Sequence, residues 1–386
     1  MIAMSWLVYD LSHSAFLLGL VGFVSRIPTL VFAPFAGVIA DRFNKYKLLF
    51  LTQVLAMIQA VIITILLFTN VIQIWHILVL GIFLGIVNSL DVPVRQSFVI
   101  ELIEKKEDLS NAIALNSAMV NGARLIGPSI AGILVASFGE SWCFMINSLS
   151  FIAILSTLML MKITPIRKEI KVESYIKNFK EGFKYVYGFH PIRDILLLLA
   201  LVSLMGMPFQ ILMPVFAKDV FHGGPDILGI LMASIGAGAL IGALYLAYRK
   251  TVVGLGKNLA MATGLFGTGL VLFSLSQTFW LSLIILMFTG LGMMVEITAS
   301  NTMLQTISED DKRGRVMSFY TIAFMGTVPL GNLFSGLFSD LIGASNTILI
   351  GGVACIIGAI IFATRLPAFR KLLKPVYIKK EIITLE

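Results

Sequence analysis

Residues 37–69 read GVIADRFNKYKLLFLTQVLAMIQAVIITILLFT, a short charged segment followed by an apolar run long enough to cross a membrane as a helix. Of the 386 residues, 58% are hydrophobic and only 13% are charged. A soluble domain has about 25% charged residues because its surface must be wetted. The composition therefore excludes a soluble protein, and the membrane helices leave no room for a soluble catalytic domain.

Apolar runs of this kind recur along the chain and predict eleven full membrane spans and one short span. The predicted spans, numbered 1 to 12, are 1–10 (short), 17–40, 47–69, 73–95, 112–136, 142–162, 194–217, 227–248, 258–277, 279–304, 316–339 and 346–365. At about 1.5 Å per residue the first run covers roughly 15 Å, half of a hydrocarbon core about 30 Å thick. The sequence predicts an all-α polytopic membrane protein whose first helix is truncated.

The distribution of Lys and Arg predicts which side of the membrane each loop faces. Of the 29 Lys and Arg residues, 26 fall in the loops after even-numbered spans or after the last span. Cytoplasmic loops retain positive charge, so we expect a plasma-membrane protein with its C-terminus in the cytoplasm. The net charge of +8 belongs to this inner face and requires no nucleic-acid partner.

The predicted organisation has four parts: an N-terminal helix bundle over 1–162, a cytoplasmic linker over 163–193, a C-terminal bundle over 194–366 and a cytoplasmic tail over 367–386. Within the linker, one face of a helix over 174–186 would carry Tyr175, Ile176, Phe179, Phe183 and Val186. This spacing favours a helix on the cytoplasmic membrane surface that ties the two bundles together. A solvated linker is the alternative.

The two halves of the chain show weak but ordered self-similarity. Leu18-Gly19 aligns with Leu228-Gly229, Gly85 with Gly292, and Gly127, Gly132 and Gly139 with Gly331, Gly336 and Gly343. The offset between matched positions shrinks steadily from 210 to 204 residues, as small loop changes between two six-span halves would produce. Two parallel halves around a central path are typical of a carrier.

The loop after span 2 resembles a signature of the major facilitator superfamily: a Gly, three residues, an Asp, a basic residue, one residue, a Gly and two basic residues. Gly37, Asp41, Arg42 and Lys45 match this pattern, Asn44 replaces the second Gly, and Tyr46 replaces a basic residue. Asn is the commonest substitute for Gly in a left-handed turn, so we expect the turn to be kept. The resemblance implies a cytoplasmic latch that sets the balance between inward-open and outward-open states. A purely topogenic positive loop is the alternative, but it does not explain Asp41.

In span 5, Gly122, Gly127, Pro128 and Gly132 resemble the antiporter motif of the same superfamily, a Gly-Pro kink followed by small residues. Helix packing alone is the alternative explanation. The whole chain also resembles the macrolide-efflux and enterobactin-exporter-like branch, through the stretches DVPVRQ at 91–96, NAIALNS at 111–117 and NTMLQT at 301–306. Members of this branch begin with a leader and a full first span, so the resemblance implies that about 20 to 30 residues are absent here.

Ionisable side chains at membrane depth cost about 2.5 to 3.5 kcal/mol on insertion scales, so each is a functional candidate. Arg26 and Arg124 cannot lose their protons and need anions, carbonyl groups or water as partners. They bind an anionic substrate, oppose the charge of a titrating acid, or lock spans 2 and 5 to neighbouring helices. The structural role is favoured for Arg26, and neither role is favoured for Arg124.

Two acids and four amides complete the candidate substrate or proton pathway. Glu296 in span 10 is the acid best placed for proton coupling. Asp91 lies four residues before Arg95, and this spacing favours a structural ion pair. Asn88, Asn116, Asn121 and Gln210 bind substrate or join helices. The Met, Phe and Pro residues of span 7, over 205–214, favour an adaptable apolar cavity, with ordinary packing as the alternative.

The sequence predicts a secondary active transporter that exports amphipathic organic compounds, such as drugs, macrolides or siderophore-like molecules, in exchange for protons by alternating access. No nucleotide-binding P-loop is present, and neither the two cysteines nor the four scattered histidines point to a metal or cofactor. We expect a functional monomer in the lipid bilayer. The alternatives are a non-transporting sensor or remnant, because span 1 is short, and a lipid-modifying membrane enzyme, which would need clustered His, Asp or Cys at membrane depth.

Overall fold

The computed structural model describes residues 2–32, 39, 43–101, 109–161, 175–249, 251–310 and 312–380, and all regular structure within them is helical. The N-terminal half contains α1 (Ile2–Ser12), α2 (Ala15–Phe32), α3 (Lys45–Phe68), α4 (Ile74–Glu101), α5 (Leu109–Phe138) and α6 (Glu140–Leu160). A linker helix, α7 (Tyr175–Gly188), follows. The C-terminal half contains α8 (His190–Val220), α9 (Pro225–Ala247), α10 (Leu255–Leu275), α11 (Phe279–Ile307), α12 (Arg313–Ile342) and α13 (Ala344–Lys379).

Within the described residues, ten of these helices are long and apolar enough to cross a membrane. The other two that correspond to predicted spans are α5, whose described apolar part is Ile126–Phe138, and α1, which has 11 residues. The prediction of an all-helical, multi-pass membrane protein is confirmed. In the described part of the chain, α1 remains a short first helix.

Two helices run beyond their predicted ends. Helix α4 continues through Pro93 to Glu101. Helix α13 continues to Lys379, so the segment predicted as a tail after residue 366 is helical for most of its length. Phe369, Leu373 and Tyr377 recur at helical spacing and are buried in one cluster with residues of α8, α10 and α11. This apolar stripe holds the extension against the C-terminal half.

Glycines bring the two halves into backbone contact along two seams. A methyl group added at Gly19 of α2 would lie 2.9 Å from the Gly336 Cα atom of α12, and one added at Gly132 of α5 would lie 2.7 Å from the Gly229 Cα atom of α9. The internal alignment pairs Gly19 with Gly229 and Gly132 with Gly336. The internal repeat therefore relates one seam to the other, as the predicted pseudo-two-fold arrangement requires.

Polar contacts join the halves at the same end of the molecule as the seams. Asp10 pairs with Lys218 at 2.6 Å, the Tyr9 hydroxyl donates to Asp219, and the Asp340 carboxylate accepts from Ser14 Oγ and from the Ala15 N–H, each at 2.9 Å. The last contact satisfies a free N–H in the first turn of α2. We call this region the closed end.

The linker helix α7 forms as predicted, and its described part packs against the C-terminal half. A methyl group at Gly182 would lie 3.1 Å from Phe319 Cε2, and the Tyr185 hydroxyl accepts from the Glu309 N–H at 3.3 Å. Val186 is buried. These contacts fix the end of the linker to the start of α12, while Phe183 on the predicted apolar face is half exposed.

Candidate functional site

A cavity of about 870 Å³ lies between the two halves, and helices from both halves line it. We call it the central cavity. Its apolar walls include Phe144, Phe151, Met207, Met232 and Phe324, and its polar lining includes Arg26, Gln53, Gln59, Asn88, Asp91, Arg95, Asn147, Gln210 and Asn332. A cavity of this size is large enough for a drug-sized organic molecule.

A break in α2 places Arg26 in the central cavity. The helix is interrupted by a turn at Ser25 and Arg26, two residues before Pro28, which has no N–H to donate. The broken segment rests on α4 because that helix carries glycines there: a methyl group at Gly85 would lie 2.6 Å from the Ser25 carbonyl oxygen. The exposed Arg26 side chain lines the cavity and has no hydrogen-bond or ion-pair partner among the described residues. The expected role of Arg26 as a lock between helices is therefore not supported.

Asp91 forms a satisfied polar cluster at the cavity wall. Its carboxylate accepts from Thr52 Oγ1 at 2.9 Å and from Gln53 Nε2 at 2.6 Å, and it pairs with Arg95 of the next helical turn. Asp91 is buried, whereas the Arg95 side chain is 57% exposed. The structural pair predicted from the spacing is confirmed, and the cluster also contributes to the lining of the cavity.

The amide side chains of the cavity come from both halves. Asn88 and Gln210, two of the four candidate amides, line it, and Gln210 Nε2 lies 3.5 Å from the Met293 sulfur. The cavity is also lined by four amides that were not predicted from the sequence: Gln53, Gln59, Asn147 and Asn332. Each of these amides stands alone in an apolar span, which is the pattern that could have identified it. Sequence alone does not say whether such an amide faces a cavity or another helix.

Glu296, the acid predicted for proton coupling, is not among the residues that line the central cavity, and its coupling role stays a prediction. It is fully buried inside the C-terminal half, where Ser300 Oγ lies 3.4 Å from one carboxylate oxygen and the other oxygen has no described partner. Ser203 of α8 and Thr263 of α10 also carry buried hydroxyls without described partners. All the unpaired buried side-chain oxygens of the described residues thus lie in this half.

The antiporter-like segment of α5 divides into two parts. Gly132 forms the seam with Gly229, and Pro128 contributes its carbonyl oxygen to that contact. A methyl group at Gly122 or Gly127 would meet no atom of the described residues within 4 Å. Only the later part of the motif is therefore used for close helix contact. The side chains of Asn116, Asn121 and Arg124 lie outside the described residues.

Most of the predicted latch lies outside the described residues, which include Lys45 but not Gly37, Asp41 or Arg42. Lys45 is the first residue of α3. Asn44 does not form the expected left-handed turn: its φ angle is −62°, and its side chain caps α3 by accepting from the Lys47 N–H at 3.1 Å. Asn is among the preferred N-cap residues, and this role explains its presence directly before α3.

An all-helical membrane protein with a mixed polar and apolar cavity between two related halves has the architecture of a small-molecule carrier. The chain belongs to the transmembrane secretion effector family, whose model matches residues 1–377. It is similar to the staphyloferrin A transporter of Staphylococcus aureus (28% identity, 94% of this chain and 90% of the relative). It is also similar to macrolide efflux protein A of Streptococcus pyogenes (22% identity, 90% and 87%).

Among solved structures, the chain is similar to a bacterial homologue of the human lysosomal transporter Spinster, which was solved in an inward-facing and unoccupied conformation. The TM-score is 0.69 and the sequence identity is 16%, and the match covers 96% of this chain and 95% of the homologue. This similarity establishes the major facilitator fold. Together with the family, it makes the protein an efflux transporter for small molecules and not an enzyme. The alternative of a lipid-modifying enzyme is therefore wrong.

Proposed function

We propose that this protein exports amphipathic organic compounds by alternating access, with the substrate bound in the central cavity. The observation that carries the proposal is the position of that cavity: both halves line it, and contacts between the halves close one end of the molecule. Because those contacts are two short glycine seams and a few polar pairs, rocking of the halves would open this end without disrupting either bundle.

The orientation follows from the charged loops. The closed end carries the acids Asp10, Asp219 and Asp340, whereas 26 of the 29 Lys and Arg residues belong to the opposite side. The positive-inside rule then places the closed end outside the cell, so the cavity is accessible from the cytoplasm. The C-terminal end of α13 also lies on the cytoplasmic side. An exporter loads its substrate in this state.

The lining of the central cavity supports an amphipathic substrate. Phe and Met side chains repack around different shapes, and amides at fixed positions orient a polar group. Met207 of α8 and Met232 of α9 face the same cavity as Asn88 of α4. Since one chain supplies the whole lining, we propose that the monomer is the functional unit.

Coupling to protons is proposed through Glu296. Its carboxyl group is fully buried and has an oxygen without a described partner. An isolated charge there is costly unless it is neutralised, so proton binding and release would favour different packings of α11. Glu296 lies inside the C-terminal half and is not part of the described cavity lining. The latch is proposed to act from the cytoplasmic side through Asp41, Arg42 and Lys45.

Proteoliposomes with an imposed proton gradient test this function. Wild type and Glu140→Gln, which changes an acid in the first turn of α6, are expected to accumulate a labelled macrolide. Glu296→Gln is expected to lose this accumulation but to keep the exchange of labelled for unlabelled macrolide. Gradient-driven accumulation by Glu296→Gln would exclude its coupling role. If wild type moves neither a macrolide nor staphyloferrin A, export is excluded and the non-transporting sensor is favoured.

A further inference from the structure

We propose that the Arg26 guanidinium binds the carboxylate of an amphipathic organic acid, so that the substrates of this transporter include organic anions. This inference rests on the proposed function, because it names the substrate class of the central cavity. It starts from a charge without a partner: Arg26 lines the cavity, and no described residue pairs with its side chain. Since arginine remains protonated, the charge is always present in the cavity.

Arg26 is held in place by the contacts that its neighbours Ser25 and Thr29 make with α4, and not by a partner of its own side chain. On one side of it, Ser25 Oγ would lie 2.7 Å from a methyl group at Gly81. On the other side, Thr29 Oγ1 donates to the Gly85 carbonyl oxygen at 3.2 Å. The broken segment of α2 is therefore seated on α4 at both flanks of Arg26. The guanidinium donors stay free for a ligand, and a ligand would meet a residue that is already positioned.

The charges of the central cavity favour an anion. Among the described residues that line it, the charged side chains are Arg26, Asp91 and Arg95. Asp91 is satisfied by Arg95, Thr52 and Gln53, so the net side-chain charge of +1 resides on Arg26. In a site with partly apolar walls this charge attracts an anion more strongly than it would in water.

The apolar side chains of the cavity wall favour an organic acid over a small inorganic anion. Inorganic phosphate would occupy a small part of about 870 Å³ and leave Phe144, Phe151 and Phe324 in contact with water. A carboxylate on an apolar body pairs with Arg26 and covers these walls. Guanidinium and carboxylate match as planar, bidentate partners.

An amide from the other half approaches the same stretch of α2. Asn332 of α12 lines the cavity, and its Nδ2 atom would lie 2.9 Å from a methyl group at Gly22, one helical turn before Arg26. Gly22, Arg26 and Asn332 all line the central cavity. An oxygen-rich ligand on Arg26 is therefore within the region that Asn332 can also reach, so the ligand would bridge the two halves.

The test compares the binding of an organic acid with the binding of its uncharged methyl ester. Binding of dansylaminoundecanoic acid and of its methyl ester to the purified full chain is followed by dansyl fluorescence. Wild type is expected to prefer the acid by about 10- to 100-fold, the range for a charge-assisted pair. Arg26→Gln is expected to bind acid and ester equally, and Arg26→Lys to keep part of the preference. The control Arg370→Gln removes an exposed charge on the α13 extension and should match wild type.

Each result decides the inference. Equal binding of acid and ester by wild type, a preference that survives in Arg26→Gln, or no binding of either probe would overturn it. The ester affinity of Arg26→Gln reports whether the cavity is intact, and Arg26→Lys covers the case in which the Gln variant does not fold. Macrolide export by a wild type without acid preference would leave the proposed function standing, so the two failures are distinguishable.

Discussion

Gly132→Ala is expected to loosen the closed end, whereas Gly127→Ala in the same helix is expected to do nothing. The new methyl group at residue 132 would lie 2.7 Å from both Gly229 Cα and the Pro225 carbonyl oxygen, and ordinary contacts begin at 3.4 Å. The neighbours are backbone atoms, so the helices themselves must separate by about 0.7 Å. Overpacking of this kind costs about 1 to 3 kcal/mol, which lowers the equilibrium ratio of the closed to the open state by about 5- to 150-fold.

Cysteine labelling from outside the cell measures this shift. In a background with Cys143→Ala and Cys355→Ala, Leu18→Cys places a thiol on the cavity wall at a position that is 1% exposed. A membrane-impermeant maleimide should label it at least several times faster when Gly132→Ala is added. The added methyl at Gly127 meets no atom within 4 Å in the part of the chain that the structure describes, so that variant should label at the parent rate. Equal rates in all three proteins would refute the seam as a gate.

Three further substitutions test other contacts. Asp340→Ala removes the acceptor of two hydrogen bonds at the closed end, and we expect about 1 kcal/mol of destabilisation and faster labelling in the same assay, with Asp226→Ala unchanged. Asn44→Ala removes the cap of α3, at a cost of about 1 kcal/mol, and hydrogen exchange at the start of α3 should accelerate. Asp194→Ala leaves Arg365, its partner at 2.9 Å, without a carboxylate. The thermal unfolding temperature should fall, and an unchanged temperature would contradict this role.

The sequence predicted the helices because span length and apolar content are local properties. It also paired Gly19 with Gly229 and Gly132 with Gly336, but only the structure shows why these glycines matter. Gly19 contacts Gly336, the counterpart of Gly132, and Gly132 contacts Gly229, the counterpart of Gly19, so each helix crossing joins non-equivalent positions of the two halves. Pairwise similarity identifies equivalent positions, while a contact between non-equivalent positions depends on how the helices cross.

For two residues the sequence did not indicate the direction in which the side chain points. Arg26 was favoured as a lock between helices but lines the central cavity, and Glu296, predicted for proton coupling, lies inside one bundle. A charged residue in an apolar span gives no indication of whether it faces a cavity or the interior of one bundle. That depends on the rotation of each helix, which is set by distant contacts such as Ser25 with Gly81 and Gly85.

Asn44 was misread for a simpler reason. The motif compared it with a glycine in a turn, although the residue also stands directly before an apolar helix. Ser, Thr, Asp and Asn are all common at that position because their side chains accept from free N–H groups. The following run of apolar residues from 48 onward was the local evidence for a cap.

Distances across both ends of the molecule test alternating access most directly. Spin labels at Phe138 and Leu341 would report on the closed end, and labels at Leu160 and Tyr248 on the opposite end, since all four side chains are well exposed. On addition of saturating macrolide, and again of dansylaminoundecanoic acid, pulsed electron spin resonance should show a longer distance in the first pair and a shorter one in the second. Distances that stay unchanged at both ends, or that lengthen at both, would contradict the account.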